Sequence, residues 1–231
     1  MKTPSRSTFI LLLLPQAPLS FTLRPSPSPT PHLAQKCLFS ISTTTTTTTT
    51  MTISERDALV SSLLKNARRV GQIGSDTTSE NRDKLLAIAK DLSKHSDAAP
   101  ARVPLTDTHN LLYSASPGGS SGKIGPFVGR VTQYFPDETT FFNEVAFGPV
   151  KISLRATREV LDDYRIRVTF RETTVTLFNA ELVKKEVTGR GVWKQLFVGI
   201  VKEEEGAGRK LLRVFETPSL FIVEQPLEDQ A

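Results

Sequence analysis

The chain has 231 residues, of which 38% are hydrophobic, and this is enough for one β domain or two small ones. Four of its five net positive charges come from the first 54 residues, which hold four basic and no acidic side chains. From Glu55 onward the chain contains 25 basic and 24 acidic residues. The near-neutral charge of this part removes the main reason to expect nucleic acid as a partner, because phosphate binding needs a concentrated positive surface. The single cysteine, Cys37, lies in the same leader, so we expect no disulfide.

Residues 1–50 have the composition of a targeting leader. Residues 1–20 are signal-like, because two basic residues precede the apolar run Phe9–Leu14, which is too short to cross a bilayer as a helix. Residues 21–50 are transit-like: they are rich in Pro, Ser and Thr and hold no acid. Such a two-part leader resembles those that deliver proteins to plastids enclosed by extra membranes. A secretory protein with a disordered, mucin-like stalk is the alternative.

Residues 51–96 predict two short amphipathic α-helices. Apolar side chains follow helical spacing from Leu59 to Val70 and again from Leu85 to Leu92, and the second helix is expected to start near Ser79. Such stripes are most often core faces, and less often a surface for membranes or partner helices. The alanines and prolines of residues 97–104 indicate a linker.

Residues 105–225 predict an antiparallel β domain. Val150 to Arg155 and Arg165 to Arg171 alternate apolar and polar side chains, which is the period of a strand with one buried face. The acids between them, Asp162 and Asp163, favour a turn and make the pair a hairpin. Eight or nine short strands follow one another, with a turn expected at Gly189–Gly191, and this spacing is typical of a sandwich or a closed barrel.

A barrel of about eight strands can hold one small apolar ligand. The predicted lining consists of apolar side chains that share the inner face of their strands: Ile152, Leu154, Ile166, Val168, Phe170, Trp193 and Phe197. The alternative is that these side chains fill the core completely and leave no room for a ligand.

Basic residues occupy the opposite face of the same strands: Lys151, Arg155, Arg165, Arg167 and Arg171. They are candidates for a membrane-facing surface, because a basic side chain near anionic lipids contributes about 1 kcal/mol. A solvated outer face, paired with nearby acids, is the alternative.

Motifs for catalysis are missing from the sequence. The glycine-rich stretch at 118–123 lacks the first glycine and the hydroxyl of a phosphate loop. His95 and His109 are the histidines outside the leader, too few for a metal site or a serine triad. We therefore expect a protein that is not an enzyme and uses no metal or cofactor. Gln195, beside Trp193, is the one polar side chain on which a barrel enzyme or pigment assembly factor could depend.

The order of these segments resembles the plastid lipid-associated protein family, also called plastid fibrillins. The similarity runs from Ala58 to Val223 and includes Leu111–Ser114, the strand Gly129–Phe135 and the closing stretches Leu212–Val214 and Leu220–Val223. The resemblance implies a lipocalin-like barrel in the plastid (chloroplast), associated with thylakoids or lipid globules.

The partner that the resemblance implies is a hydrophobic small molecule: a prenylquinone, a carotenoid or an acyl lipid. A structural coat of lipid globules, without an internal ligand, is the second hypothesis. The apolar lining reached from the residues alone fits a carrier, because burying a prenyl or acyl chain releases roughly 0.8 kcal/mol per methylene.

Overall fold

The computed structural model describes residues 48–96, 98–202 and 208–227, with side chains described from Glu55 onward. Nearly all of the predicted leader therefore lies outside the described residues, as does Cys37. The described chain is mainly β, with two helices ahead of a closed barrel of eight antiparallel strands. This confirms the predicted fold class.

Two helices precede the barrel. Helix α1 (Thr48–Val70) begins three residues inside the range assigned to the leader, and no Pro or Gly interrupts it before Gly71. Helix α2 (Ser79–Leu92) starts at the predicted residue, where the hydroxyl of Thr78 accepts a hydrogen bond from the Asn81 backbone. In the described residues, neither helix has the length and apolarity needed to span a membrane.

The strands follow the chain in an up-and-down order. Their bounds are β1 (Asp107–Ser114), β2 (Lys123–Ile124), β3 (Phe127–Val128), β4 (Arg130–Phe135), β5 (Thr140–Phe147), β6 (Val150–Val160), β7 (Arg165–Leu177), β8 (Ala180–Lys202), β9 (Arg209–Glu216) and β10 (Leu220–Leu227). β4 to β10 pair in sequence order, and β1 closes the barrel between β4 and β10. The pair β2 and β3 forms a separate small hairpin. This lipocalin-like closure leaves most strands without a free edge.

The predicted β6–β7 hairpin is present. Asp162 accepts backbone hydrogen bonds from Tyr164 and Arg165 at 2.9 and 2.7 Å, which fixes the turn. The expected turn at Gly189–Gly191 is wrong, because β8 runs without interruption through both glycines. Gly189 and Gly191 stand instead opposite Phe170 and Val168 of β7, where a residue without a side chain leaves interior space.

The barrel has two different ends. Residues 98–106, which include most of the linker predicted at 97–104, cover one end: Ala101 and Leu105 enter the interior, and the Ala101 backbone donates to the Asp163 carbonyl at 2.9 Å. We call this the capped end. The turns at 148–149, 178–179 and 217–219 lie at the other end, because neighbouring strands are antiparallel.

Two apolar clusters hold the fold together. The barrel interior is the first. The second, which we call the helix-side core, lies between the two helices and the outer face of β1, β8, β9 and β10. Its fully buried members include Leu63 of α1, Leu85 of α2, Leu212 of β9 and Ile222 of β10. Both predicted helical stripes are therefore core faces.

Candidate functional site: the barrel interior

Most of the predicted lining residues meet inside the barrel. Leu154, Ile166, Val168, Phe170 and Trp193 are all buried in the interior cluster. Ile152 is half-buried and pairs with Val145 on one side and Val175 on the other, so it faces the same interior nearer the uncapped end. Strand alternation thus assigned the inner face correctly over β6 and β7.

Phe197 is the exception, and its placement corrects the sequence interpretation. It packs in the helix-side core, although Trp193 on the same strand faces the barrel interior. A β-bulge is the cause: Gln195 pairs with Phe215 and Phe197 with Val214, which leaves Leu196 as an extra residue. One inserted residue exchanges the two faces of a strand for every residue that follows.

Aromatic rings form a continuous row across the interior. Trp193 stacks on Phe215 with ring centroids 5.1 Å apart, and Phe215 stacks on Phe221 at 5.2 Å. On the other side Phe141 meets Trp193 edge to face at 5.5 Å and stacks on Phe135 at 5.4 Å. These rings pack against one another inside the barrel, so the interior is a packed core over part of its length.

A buried guanidinium lies within this row. Arg213 of β9 is fully buried, and its guanidinium carbon lies 4.5 Å from the ring centre of Phe215 and 5.5 Å from that of Phe135. Its Nε donates to Oε1 of Gln195 at 3.0 Å, and its Nη1 donates to Oε1 of Gln133 at 3.1 Å. Its Nη2 is buried without a hydrogen-bond partner.

The charge of Arg213 is not neutralised by any carboxylate of the described chain. Both hydrogen-bond acceptors are neutral amides, and no described acid forms an ion pair with this side chain. Burial, together with the positive charge of Arg158, lowers the pKa of the guanidinium to about 9. An unpaired buried cation is strongly destabilising, which makes this position unusual for a core.

Further polar groups around the guanidinium also lack partners. His109 of β1 is fully buried and stands opposite Gln133 in the strand register; the Thr106 backbone adjoins its ring, but no hydrogen bond of good geometry forms at either ring nitrogen. Burial, followed by the charge of Arg213, lowers the pKa of His109 to about 3, so the ring is neutral at pH 7. The Nε2 amide of Gln195 and Oδ1 of Asn143 are likewise buried and unpaired. We call Arg213, His109, Gln133 and Gln195 the polar cluster.

Arg158 is a second basic residue on the inner face, but it has a structural partner. Its Nη2 donates to the Ala101 carbonyl at 3.2 Å and lies 3.5 Å from the Val103 carbonyl. Burial lowers its pKa. The side chain therefore ties the capping segment to the barrel wall, which closes this end.

Sequence reasoning passed over the polar cluster except for Gln195. One signal was available in β9, where Arg213 interrupts the apolar run from Leu211 to Phe215 at a position that faces inward. A single charge within an otherwise apolar strand is the pattern that would have found it.

The interior is apolar and partly accessible toward the uncapped end. Half-buried side chains face inward there: Phe147, Ile152, Val175, Leu177 and Val187. Farther in, a Cβ added at Gly191 would meet only the indole nitrogen of Trp193, at 3.8 Å, so open space adjoins that ring. A ligand with an apolar hydrocarbon chain that entered from this end would contact the lining residues predicted from the sequence.

Exposed apolar side chains surround the same end. We call Phe127, Val128, Phe178, Leu182 and Val183 the apolar rim. Phe178 is 77% exposed and Phe127 is 67% exposed, the two highest values among the large hydrophobic side chains of the described residues. The tip of the β7–β8 hairpin adjoins the β5–β6 turn, since the Phe178 backbone donates to the Pro149 carbonyl at 2.9 Å. The base of the β2–β3 hairpin lies near the same turn, because Gly129 packs against Phe147.

The predicted membrane-facing residues lie on the outside of the barrel, and four of the five are paired with acids. Lys151 pairs with Glu144 at 3.2 Å and Arg155 with Glu172 at 3.5 Å. Arg165 pairs with Asp162 at 2.6 Å and Arg167 with Glu159 at 2.8 Å. Arg171 is exposed at a β-bulge of β7. This pattern favours the alternative of a solvated outer face. The apolar rim is therefore the better candidate for a membrane-facing surface.

Fold and site together define a closed eight-stranded antiparallel barrel with an apolar, partly accessible interior and a buried polar cluster. Such a fold is compatible with binding a small hydrophobic molecule. Comparison with protein-family models, with curated proteins and with solved structures finds no match. In the described ranges, no group of three or more His, Cys, Asp or Glu side chains could hold a metal ion.

Proposed function

We propose that this protein binds or carries a hydrophobic small molecule inside its barrel and is not an enzyme. The observation that carries the proposal is the apolar inner wall, which is half-buried at Ile152 and Val175 near the uncapped end and adjoins open space at Gly191 farther in. The capped end is closed by Ala101 and Leu105, so the ligand enters from the other side. Burial of each methylene there contributes roughly 0.8 kcal/mol to binding.

We also propose where the ligand comes from. The apolar rim borders the entrance, so the protein would meet a membrane or lipid-globule surface with this end. A ligand could then pass from lipid to barrel without crossing water. The resemblance to plastid fibrillins and the transit-like leader support a plastid location at thylakoids or lipid globules, with a prenylquinone, a carotenoid or an acyl lipid as ligand.

The only tryptophan in the chain gives a direct test of ligand entry. Because Trp193 lies in the interior next to the space at Gly191, an apolar ligand should change its fluorescence in a saturable manner. We expect a short prenyl benzoquinone to quench the emission at about one molecule per chain. Emission that does not respond to quinone, fatty acid or fatty alcohol would refute the proposal.

Two substitutions on one strand form a matched pair for this titration. Gly191→Leu fills the space beside Trp193 and should weaken binding by at least about tenfold, since it occupies the volume that the ligand needs. Val192→Leu changes the next residue, which is half exposed on the outer face, and should bind as the unsubstituted protein does. Equal weakening in both variants would place the ligand outside the barrel.

A second candidate function is a coat on lipid globules. The apolar rim favours it, because a protein that only adsorbs needs exposed apolar side chains and no internal space. The double variant Phe178→Ser and Leu182→Ser should abolish flotation with lipid droplets under both hypotheses. Retained ligand binding in detergent by that variant supports the carrier, whereas loss of all binding supports the coat.

A further inference from the structure

We infer that the ligand of the barrel is an apolar molecule with a carboxylate head, and that the head binds to Arg213. This inference rests on the proposed function and adds the chemical class of the ligand. A buried guanidinium in an apolar barrel has a strong requirement for an anion, and the described chain does not supply one. A carboxylate on the ligand would supply this missing anion.

The unpaired atoms of the polar cluster match the needs of a carboxylate. Nη2 of Arg213 and Nε2 of Gln195 are donors that are buried without acceptors, and both belong to side chains already joined by the 3.0 Å hydrogen bond. A carboxylate is an acceptor at both oxygens, so it could bind these two donors together. A nitrogen of His109, which is unpaired on the same inner face, could add a third donor.

A neutral head group complements the polar cluster less well than a carboxylate does. An alcohol or a quinone carbonyl accepts a hydrogen bond but leaves the positive charge uncompensated in an apolar surrounding. A carboxylate supplies both the acceptor and the charge, and hydrogen bonds between charged partners are about twice as strong as neutral ones. The tail of the acid would then extend along Trp193 and Val168 toward the apolar rim.

Access to the guanidinium requires side chains to move. Arg213 and His109 are both completely buried, so the head must displace part of the present packing. The amides of Gln133 and Gln195 are the flexible groups at this position, because each has two rotatable bonds beyond its first side-chain torsion. The polar cluster therefore opens when an acid binds, and the guanidinium exchanges an amide oxygen for a carboxylate.

The test compares matched ligands of one tail length at pH 8, using Trp193 emission and calorimetry. The probes are palmitate, 1-hexadecanol, hexadecyl phosphate and a prenyl benzoquinone. We expect palmitate to bind at least about tenfold more tightly than hexadecanol. Equal affinities for palmitate and hexadecanol overturn the inference but leave the proposed function intact. Tighter binding of the quinone than of palmitate has the same two consequences. Tighter binding of the phosphate overturns the assignment of a carboxylate, and binding of none of the four refutes the proposed function itself.

Two substitutions separate ligand recognition from packing. Gln133→Glu places a carboxylate at an atom already 3.1 Å from Nη1 of Arg213, so it should remove the preference for palmitate while hexadecanol still binds. Arg213→Met should remove the same preference by removing the charge. Arg167→Ser, on the outer face, is the control and should keep the preference. If Gln133→Glu folds, binds hexadecanol and still prefers palmitate by tenfold, the head does not bind at Arg213.

Discussion

The two cores of this protein differ in what they bury. The helix-side core consists of aliphatic and aromatic side chains, and its single buried polar atom without a partner is the hydroxyl of Tyr113. The barrel interior has a comparable number of apolar residues but also contains Arg213, His109, Gln133 and Gln195, with several donors and acceptors unpaired. The same chain therefore contains one core that is almost entirely apolar and one core that includes the polar cluster.

This difference indicates in which core the buried residues can be explained by the stability of the fold alone. A well-packed apolar residue in place of a buried charge is often neutral or stabilising, so stability does not explain Arg213. The helix-side core contains nothing that needs such an explanation. We therefore infer a structural role for the helix-side core, and the binding role that we propose belongs to the barrel interior.

The largest effect should come from placing a charge in the helix-side core. Leu63 is fully buried between the helices and the barrel, within a cluster of apolar side chains. Leu63→Asp should cost at least about 4 kcal/mol and leave the protein mostly unfolded in a urea titration followed by circular dichroism. Lys65→Asp, on the exposed side of the same helix, should fold normally, and similar losses in both would contradict the assignment of this face.

A smaller effect should appear as a dependence of stability on pH. His109 keeps a pKa of about 3 in the fold against 6.5 in the unfolded chain, so the unfolded chain binds the proton first. Stability should therefore fall as the pH is lowered from about 6.5, by about 1.4 kcal/mol per pH unit from this group. In His109→Gln that contribution disappears, and urea midpoints at pH 7 and pH 4.5 should lie closer together. Parallel curves for the two proteins would show that the ring is not held neutral.

An acid beside Arg213 should stabilise the barrel, in contrast to the acid in the helix-side core. Gln133→Glu pairs the buried guanidinium with a carboxylate, and we expect a gain of about 2 kcal/mol in the free energy of unfolding. Gln225→Glu is the matched control, because this buried amide lies 3.4 Å from the carboxylate of Asp107 and the change should destabilise. A loss of stability in Gln133→Glu would indicate that Arg213 is already compensated.

The smallest effect belongs to the outer face of the barrel. Arg167 pairs with Glu159 at 2.8 Å, but both side chains are largely exposed. Arg167→Ser should change the free energy of unfolding by less than about 0.5 kcal/mol, measured by thermal melting. A drop of more than 2 kcal/mol would mean that this face is covered in the folded protein.

The sequence predicted the parts of the fold that follow from regular alternation. The inner positions of β6 and β7, the turn at Asp162 and the start of α2 depend on local spacing and turn chemistry, and all three are present. Alternation fails where a strand gains one residue. The bulge at Leu196 carries no compositional signal, and this is why Phe197 was assigned to the wrong face.

The candidate site was less predictable, since it depends on contacts between distant strands. Arg213 meets Gln133 across 80 residues of sequence, and no local pattern announces that pairing. Gly189 and Gly191 were misread as a turn, because glycine is equally suited to a turn and to an interior position that must stay empty. The covering of one barrel end by residues 98–106 is likewise a tertiary effect.

Mass spectrometry of the organic extract of the protein, purified from the cells that naturally produce it, tests the central claim most directly. The account predicts close to one molecule per chain of a single apolar compound, carrying a carboxylate and a long hydrocarbon tail. A folded protein that yields only bulk membrane lipid, in no fixed ratio to the chain, would contradict it.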